Sequence, residues 1–141
     1  MKKSKFNISI IEDDKYFNMV FKKRLTQLCK SYNYPRVAFN IQSYYNGDDF
    51  LESDIDTLDI AVLDYYLEID DEGKGVTGLE VLKEIKKASP NCKVILISEQ
   101  SDVTITAELF KNGIDDYVRK NGMAANRLWS IVEEMIKKEA A

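Results

Sequence analysis

The stretch LDIAVLD, residues 58–64, sets the class of fold that the rest of the chain must complete. It is an apolar run closed by an acid, and it does not alternate between apolar and polar residues. Strands buried on both faces of a parallel sheet have this pattern, whereas strands with one wet face alternate. The run KVILI, residues 93–97, repeats the pattern and ends at Ser98. Two such strands predict a parallel sheet covered by helices on both faces.

The segments around these two strands complete a βα unit that occurs five times. Strands are predicted over 6–11, 37–44, 58–63, 93–97 and 115–118, and helices over 15–32, 48–53, 77–89, 102–110 and 123–138, with Thr77 and Asp102 as caps. Right-handed crossovers place such helices on both sides of the sheet. The predicted fold is therefore α/β, a doubly wound (βα)5 three-layer sandwich.

The apolar positions of two helices predict which of their faces are buried. In the third helix, the spacing of Leu79, Leu82, Ile85 and Ala88 predicts the inner face. The last helix carries two parallel stripes, 124/128/131/135 and 125/129/132/136, which together are wider than one sheet-facing stripe needs. Either both stripes belong to the core and its edge, or one of them contacts a partner.

Length and composition limit the function. The 141 residues suit one domain over 1–141, with a core of about 6–138 and no effector domain within these residues. The chain has no histidine, which excludes histidine general bases, histidine-containing triads and histidine-ligated zinc. This chain therefore cannot itself carry a phosphohistidine.

The net charge limits the possible partners of the protein, and the cysteine content indicates its compartment. The net charge is 20 − 24 = −4, and a pI near 5.0 argues against direct binding of nucleic acid. Cys29 and Cys92 lie in apolar periodic segments, so buried free thiols are expected. No stretch approaches the ~18 apolar residues of a membrane span. We expect a cytoplasmic protein that does not contact the membrane.

Chemically useful side chains follow the predicted strands. Ligands of such sheets bind at the carboxyl ends of the strands. The residues that stand there are Glu12, Asp13 and Asp14 after the first strand, Asp64 after the third, Ser98 after the fourth and Lys120 after the fifth. Taken singly, each is commonly a cap or a solvated charge, but the combination is hard to ascribe to solubility alone.

In this order and spacing, five stretches resemble the receiver domain of two-component response regulators, the CheY-like superfamily. They are ISIIEDD (8–14), DIAVLDYYL (59–67), GLEVLKEIK (78–86), VILIS (94–98) and GIDDYVRK (113–120). The resemblance implies a flavodoxin-like sheet with strand order 2-1-3-4-5. It also implies a signalling switch that catalyses only its own aspartyl phosphorylation and dephosphorylation.

The resemblance implies a metal site and a phospho-acceptor. Asp64 matches the phospho-accepting aspartate of the family. A carboxylate that acts as the nucleophile forms an acyl phosphate, which is reactive. Glu12 and Asp13 match the acidic pair that, with Asp64, binds Mg2+, with Mn2+ as an alternative. The backbone carbonyl of Tyr66 matches a further ligand, and Asp14 is a candidate ligand through water.

The resemblance also assigns the phosphoryl contacts and the switch. Lys120 matches the lysine that holds the phosphoryl oxygens, and Ser98 the hydroxyl that hydrogen-bonds them. Tyr117 matches the aromatic switch residue, which turns inward when Ser98 moves. The implied phosphodonor is a histidine kinase or a histidine phosphotransfer protein. The implied output is a downstream protein or a homodimer, bound through the fourth helix, fifth strand and fifth helix.

Three features depart from the family. The loop from Asp64 to Gly78 is long, and its segment 68–76 is rich in acids. Glu99 follows Ser98 where the family usually has a small residue, and Asn121 follows Lys120 where it usually has proline. These departures support one alternative, a degenerate receiver that only docks proteins. Another alternative, a flavodoxin-like electron carrier, is disfavoured because acids after the first strand would repel a flavin phosphate.

Overall fold

The computed structural model describes residues 3–32, 36–67, 72–99 and 103–140, and the side chains of 103–105 are not described. The elements in chain order are β1 (Lys5–Ile11), α1 (Lys15–Ser31), β2 (Ala38–Tyr44), α2 (Gly47–Leu51), a 3-10 turn (Ile55–Thr57), β3 (Ile60–Asp64), α3 (Gly78–Ala88), β4 (Lys93–Ser98), α4 (Val103–Lys111), β5 (Asp116–Arg119) and α5 (Ala124–Ala140). The predicted cap Asp102 and residues 68–71 of the acidic loop segment lie outside the described residues.

The five strands form one parallel sheet in the order β2-β1-β3-β4-β5, which confirms the predicted fold. The central strand β3 is buried along its whole length, and β4 is buried except at Lys93. This burial on both faces is why these two strands are continuous apolar runs. No helix within the described ranges is both long and apolar enough to cross a membrane.

The core is divided by the sheet into two apolar clusters. One lies under α1 and α5 and includes Phe21, Leu25, Leu128 and Val132. The other lies under α2, α3 and α4 and includes Phe50, Leu82, Ile85 and Leu109. Both free cysteines are buried, Cys29 in the first cluster and Cys92 in the second, as expected. Helices on both faces make this a three-layer arrangement.

The predicted inner face of α3 is confirmed at Leu82 and Ile85, and Val81 and Gly78 are buried beside them although they were not predicted. The buried residues are Gly78, Val81, Leu82 and Ile85, whereas Leu79 and Ala88 are only partly buried. Gly78 begins the helix in close contact with the backbone that follows β3. A Cβ at Gly78 would lie 2.7 Å from the Tyr65 Cα and 2.9 Å from the Asp64 carbonyl oxygen. The first turn of α3 therefore lies close against the loop after β3.

In α5, one stripe is fully buried and its flanks are half-buried. The buried positions are Ala124, Leu128, Val132, Ile136 and Ala140, at successive steps of four. The half-buried apolar residues that pack beside them are Ala125, Trp129, Ile131 and Met135. The two predicted stripes together therefore form one buried stripe that is flanked on each side by half-buried apolar residues.

Candidate functional site

The carboxyl ends of β1, β3 and β5 bring three acids and one amine together. Ile11 of β1 pairs with Leu63 of β3, so the next residues along each strand, Glu12 and Asp64, lie side by side. Lys120 follows β5 directly, and its backbone N–H donates to the Ser98 carbonyl at 2.8 Å. The strand pairing alone therefore brings the predicted site residues to one edge of the sheet.

The Lys120 ammonium lies between two buried carboxylates. Lys120 Nζ is 2.5 Å from Glu12 Oε1 and 3.1 Å from Asp64 Oδ2. The Asp64 contact has hydrogen-bond geometry, whereas the Glu12 contact is an ion pair without it. Glu12 is 0% exposed and Asp64 3%. Such burial strengthens the attraction between opposite charges, because little water screens them.

The carboxyl cluster has the chemistry of a site for a hard cation. One carboxylate oxygen from each of Glu12, Asp13 and Asp64 lies within 4.8 Å of the other two, and among the described residues these three form the group that fits a metal ion. Oxygen ligands of this kind suit Mg2+, which usually completes its octahedron with water. Among the predicted ligands, the structure thus brings these three together.

Burial raises the proton affinity of two acids of the site, Glu12 and Asp64. Burial, with the hydrogen bond to Asp64, raises the pKa of Glu12 to about 9. Burial also raises the pKa of Asp64 above its ordinary value, although its contacts with Glu12 and Lys120 oppose this. Burial lowers the pKa of Lys120, but Glu12 and Asp64 outweigh it and the net shift is upward. The site thus brings three carboxyl groups together with one ammonium.

Asp14 and Tyr66 lie beside the cluster and have other contacts. The Asp14 carboxylate caps α1 by accepting from the Phe17 N–H at 3.0 Å, and its own N–H donates to Glu12 Oε2 at 3.2 Å. The Tyr66 N–H donates to Asp64 Oδ1 at 3.1 Å, and this hydrogen bond orients the Asp64 carboxylate. The role of the Tyr66 carbonyl and a water-mediated role of Asp14 stay predictions.

Ser98 and Tyr117 lie on one face of the sheet. Ser98 is the buried last residue of β4, and Leu96 of β4 pairs with Tyr117 of β5. Because side chains on a strand alternate between faces, Ser98 shares a face with Leu96, and paired residues of neighbouring strands share a face too. Tyr117 is half-buried against the cluster under α2, α3 and α4. The Ser98 and Tyr117 side chains therefore point to the same side of the sheet.

Sequence reasoning missed two residues that support the site. Asn18 is 1% exposed, and its side-chain amide donates to the carbonyls of Glu12 at 2.9 Å and Tyr44 at 3.0 Å. The ring of Phe17 lies against Lys120, whose Nζ is 5.1 Å from the ring centre. The available signal for Asn18 was a polar residue in line with Phe21, Leu25 and Cys29 on the buried side of α1, whereas no spacing in the sequence singles out Phe17.

Known proteins provide an independent comparison. A family model described as the response regulator receiver domain matches residues 8–133. Chemotaxis protein CheY of Thermotoga maritima is 26% identical over 113 residues, which are 80% of this chain and 83% of that protein. A cyclic di-GMP phosphodiesterase of the same organism is 29% identical over 83 residues, which are 59% of this chain and 21% of the phosphodiesterase.

Solved structures with the same fold include receiver domains. The BeF3-activated receiver domain of DrrB is 26% identical with a TM-score of 0.70, covering 94% of this chain and 97% of that one. DrrB itself is described as a Thermotoga maritima OmpR/PhoB homolog. NtrX from Brucella abortus has a TM-score of 0.76 at 20% identity, which shows the fold alone, and covers 96% of this chain. The chain spans about a fifth of the phosphodiesterase and 28% of the NtrX chain.

Proposed function

This chain belongs to the response regulator receiver family, and from that premise we propose that it is a phospho-accepting switch whose acceptor is Asp64. The carrying observation is the pairing of a buried aspartate with a buried ammonium 3.1 Å away, beside two further acids. Phosphoryl transfer needs little more than positioning and neutralisation of charge, because its transition state is loose and its charge lies on the phosphoryl oxygens.

The proposed reaction transfers a phosphoryl group from a phosphohistidine of a separate histidine kinase or phosphotransfer protein. An Asp64 carboxylate oxygen forms the new bond to phosphorus while the nitrogen–phosphorus bond breaks, and the imidazole nitrogen keeps the electron pair and takes up a proton. Lys120 faces the phosphoryl oxygens and Ser98 hydrogen-bonds to them. The 141 residues contain no histidine, so the phosphohistidine lies outside them.

The acid cluster fits Mg2+, and a divalent ion would supply the positive charge that one ammonium cannot. Glu12, Asp13 and Asp64 would hold it, with the Tyr66 carbonyl as a further ligand and Mn2+ as an alternative ion. When bound, the ion neutralises charge on the phosphoryl oxygens.

The proposed output is a change on the surface formed by α4, β5 and α5. Phosphorylation adds about −1.5 to −2 charges and three acceptor oxygens, which attract Ser98. Tyr117 then turns into the space beside Ser98 on their shared face, and a downstream protein or a second copy binds the altered surface. Buried free cysteines suit a reducing compartment, which supports a cytoplasmic location.

A mass measurement tests the proposal. Incubation with Mg2+ and acetyl phosphate should add the mass of one phosphate to the intact protein, and the adduct should be labile to hydroxylamine, as acyl phosphates are. Asp64→Asn should gain nothing, whereas Asp56→Asn, which alters an exposed acid on the 3-10 turn, should behave like the wild type. A wild type without an adduct, as the degenerate docking module predicts, would overturn the proposal.

A further inference from the structure

The Lys120 ammonium has an aromatic neighbour as well as its two carboxylates. The side chain of Lys120 is 6% exposed, and Nζ lies 5.1 Å from the centre of the Phe17 ring. A cation over an aromatic face at this distance is attracted by the ring quadrupole, and the attraction grows when water is excluded. The ring is uncharged and cannot coordinate a metal ion, so it does not compete with a cation or a phosphoryl group for Lys120.

The Phe17 ring is itself held in place. It stacks on Phe21 with ring centres 5.7 Å apart, and Phe21 is 1% exposed. Its backbone N–H is fixed by the Asp14 cap in the first turn of α1. The ring is therefore anchored by the core of the protein on one side and by a helix cap on the other, and it offers a rigid surface to the lysine.

The loop after Lys120 does little to fix the lysine. Asn121, Gly122 and Met123 are all exposed, and a Cβ built on Gly122 would meet nothing within 4 Å. A lysine side chain has four rotatable bonds and loses much rotamer freedom when its ammonium is fixed. The position of Nζ must therefore be set by what the ammonium touches.

We infer that Phe17 is a positioning residue, which holds the Lys120 ammonium over Asp64 by a cation–π contact. The inference rests on the proposed phosphoryl transfer. The carboxylates of Glu12 and Asp64 are the groups that a metal ion and a phosphoryl group would engage. When those groups engage the two carboxylates, Lys120 keeps its contact with the Phe17 ring. The ring then keeps the ammonium directed at the phosphoryl oxygens.

The test compares side chains that keep or remove the aromatic face. In Phe17→Leu the site stays apolar but loses the ring, and in Phe17→Trp it keeps a ring. The matched control is Tyr16→Leu, which removes the neighbouring ring, 65% exposed and edge-on to Phe17. Thermal unfolding followed by circular dichroism checks that each variant is folded.

Two readouts are needed. In lysine-labelled protein, the NMR signals of the Lys120 ε-methylene, assigned with Lys120→Arg, should show a ring-current shift that Phe17→Leu abolishes. The rate of phosphorylation by acetyl phosphate should fall by ~2- to 30-fold in the same variant, the range that cation–π energies imply. Phe17→Trp should restore both, and Tyr16→Leu should change neither.

The outcomes separate this inference from the proposed function. A Phe17→Leu protein with an unchanged Lys120 shift or an unchanged rate would overturn the role of Phe17, and so would a Phe17→Trp protein that restores neither. A wild type that takes up no phosphate would instead overturn the proposed function. In that case the NMR shift still decides whether the ring contacts the ammonium.

Discussion

Lys120 Nζ lies 3.1 Å from Asp64 Oδ2, although the two residues leave strands β5 and β3, which are separated in the sheet by β4. The long lysine side chain spans the end of β4, where its backbone N–H is tied to the Ser98 carbonyl at 2.8 Å. The three residues proposed to contact the phosphoryl group therefore come from three adjacent strands. A parallel sheet makes this convergence possible because all of its carboxyl ends meet at one edge.

Lys120→Ala should slow phosphorylation by acetyl phosphate about 100-fold, which is the usual effect of losing one preorganised donor to a developing anion. The rate is measured by intact mass against time at saturating Mg2+. The control is Lys87→Ala, which removes an exposed lysine from the last turn of α3. An unchanged rate in Lys120→Ala would show that the ammonium does not act on the phosphoryl group.

Gly78→Ala should destabilise the protein by about 1–3 kcal/mol, the usual cost of forcing atoms into a closely packed site. The added Cβ would lie 2.7 Å from the Tyr65 Cα and 2.9 Å from the Asp64 carbonyl oxygen, and the displaced backbone carries Asp64. Urea unfolding measures the change in the free energy of unfolding. Gly122→Ala is the control, because its Cβ would meet nothing within 4 Å. Equal stabilities for the two variants would contradict the close packing at Gly78.

The two cysteines should be unreactive in the native protein. Burial raises the pKa of Cys29 and of Cys92 to about 12 from an ordinary value of 9.0, so neither is a thiolate at pH 8. Ellman's reagent should react with no thiol in buffer and with both in urea, and Cys29→Ala should leave one reactive thiol in urea. Rapid reaction of the native protein would contradict the buried positions.

The same pKa shifts imply a dependence of stability on pH. Below about pH 9 both the folded and the unfolded protein keep the thiol protons, so the cysteines add no pH dependence. Between about pH 9 and 12 the unfolded chain loses them and the folded chain does not, so the cysteine contribution lowers the free energy of unfolding as pH rises. Cys29→Ala should weaken this decline in urea titrations at successive pH values, and an equally steep decline would contradict it.

The sequence allowed most of the fold to be predicted because the decisive signals were local. The apolar runs of β3 and β4 report burial on both faces, and acids and amines after strands must meet at one edge of a parallel sheet. The burial of Gly78 at the start of α3 could not be predicted, because it depends on how closely Gly78 approaches Tyr65, two residues separated by a loop. Helical periodicity alone says which residues share a face, not how that face is rotated toward the sheet.

In the candidate site too, some residues could be predicted from the sequence and others could not. Asp64, Glu12 and Lys120 could be named from their positions after strands. The contact of Phe17 with Lys120 depends on the packing of α1 against the end of β5, and no spacing within the sequence reports that distance. Asn18 has a polar side chain on the buried side of an amphipathic helix, and only the fold shows that two backbone carbonyls accept from it.

Asn18→Leu should destabilise the protein by about 1–3 kcal/mol, because buried carbonyls that lose a hydrogen-bond donor keep the cost of leaving water. The lost bonds are those to the carbonyls of Glu12 and Tyr44, so the loop that carries Glu12 and Asp13 keeps the backbone bond from the Glu12 N–H to the Tyr44 carbonyl but loses its side-chain tie to α1. Mg2+ should therefore bind more weakly, as titration calorimetry would show, and urea unfolding gives the stability. Gln27→Leu changes an exposed amide on the same helix and should stay within about 0.5 kcal/mol of the wild type. If Asn18→Leu matched that control in both measurements, the amide would have no supporting role, and the loop after β1 would be held by its own backbone contacts.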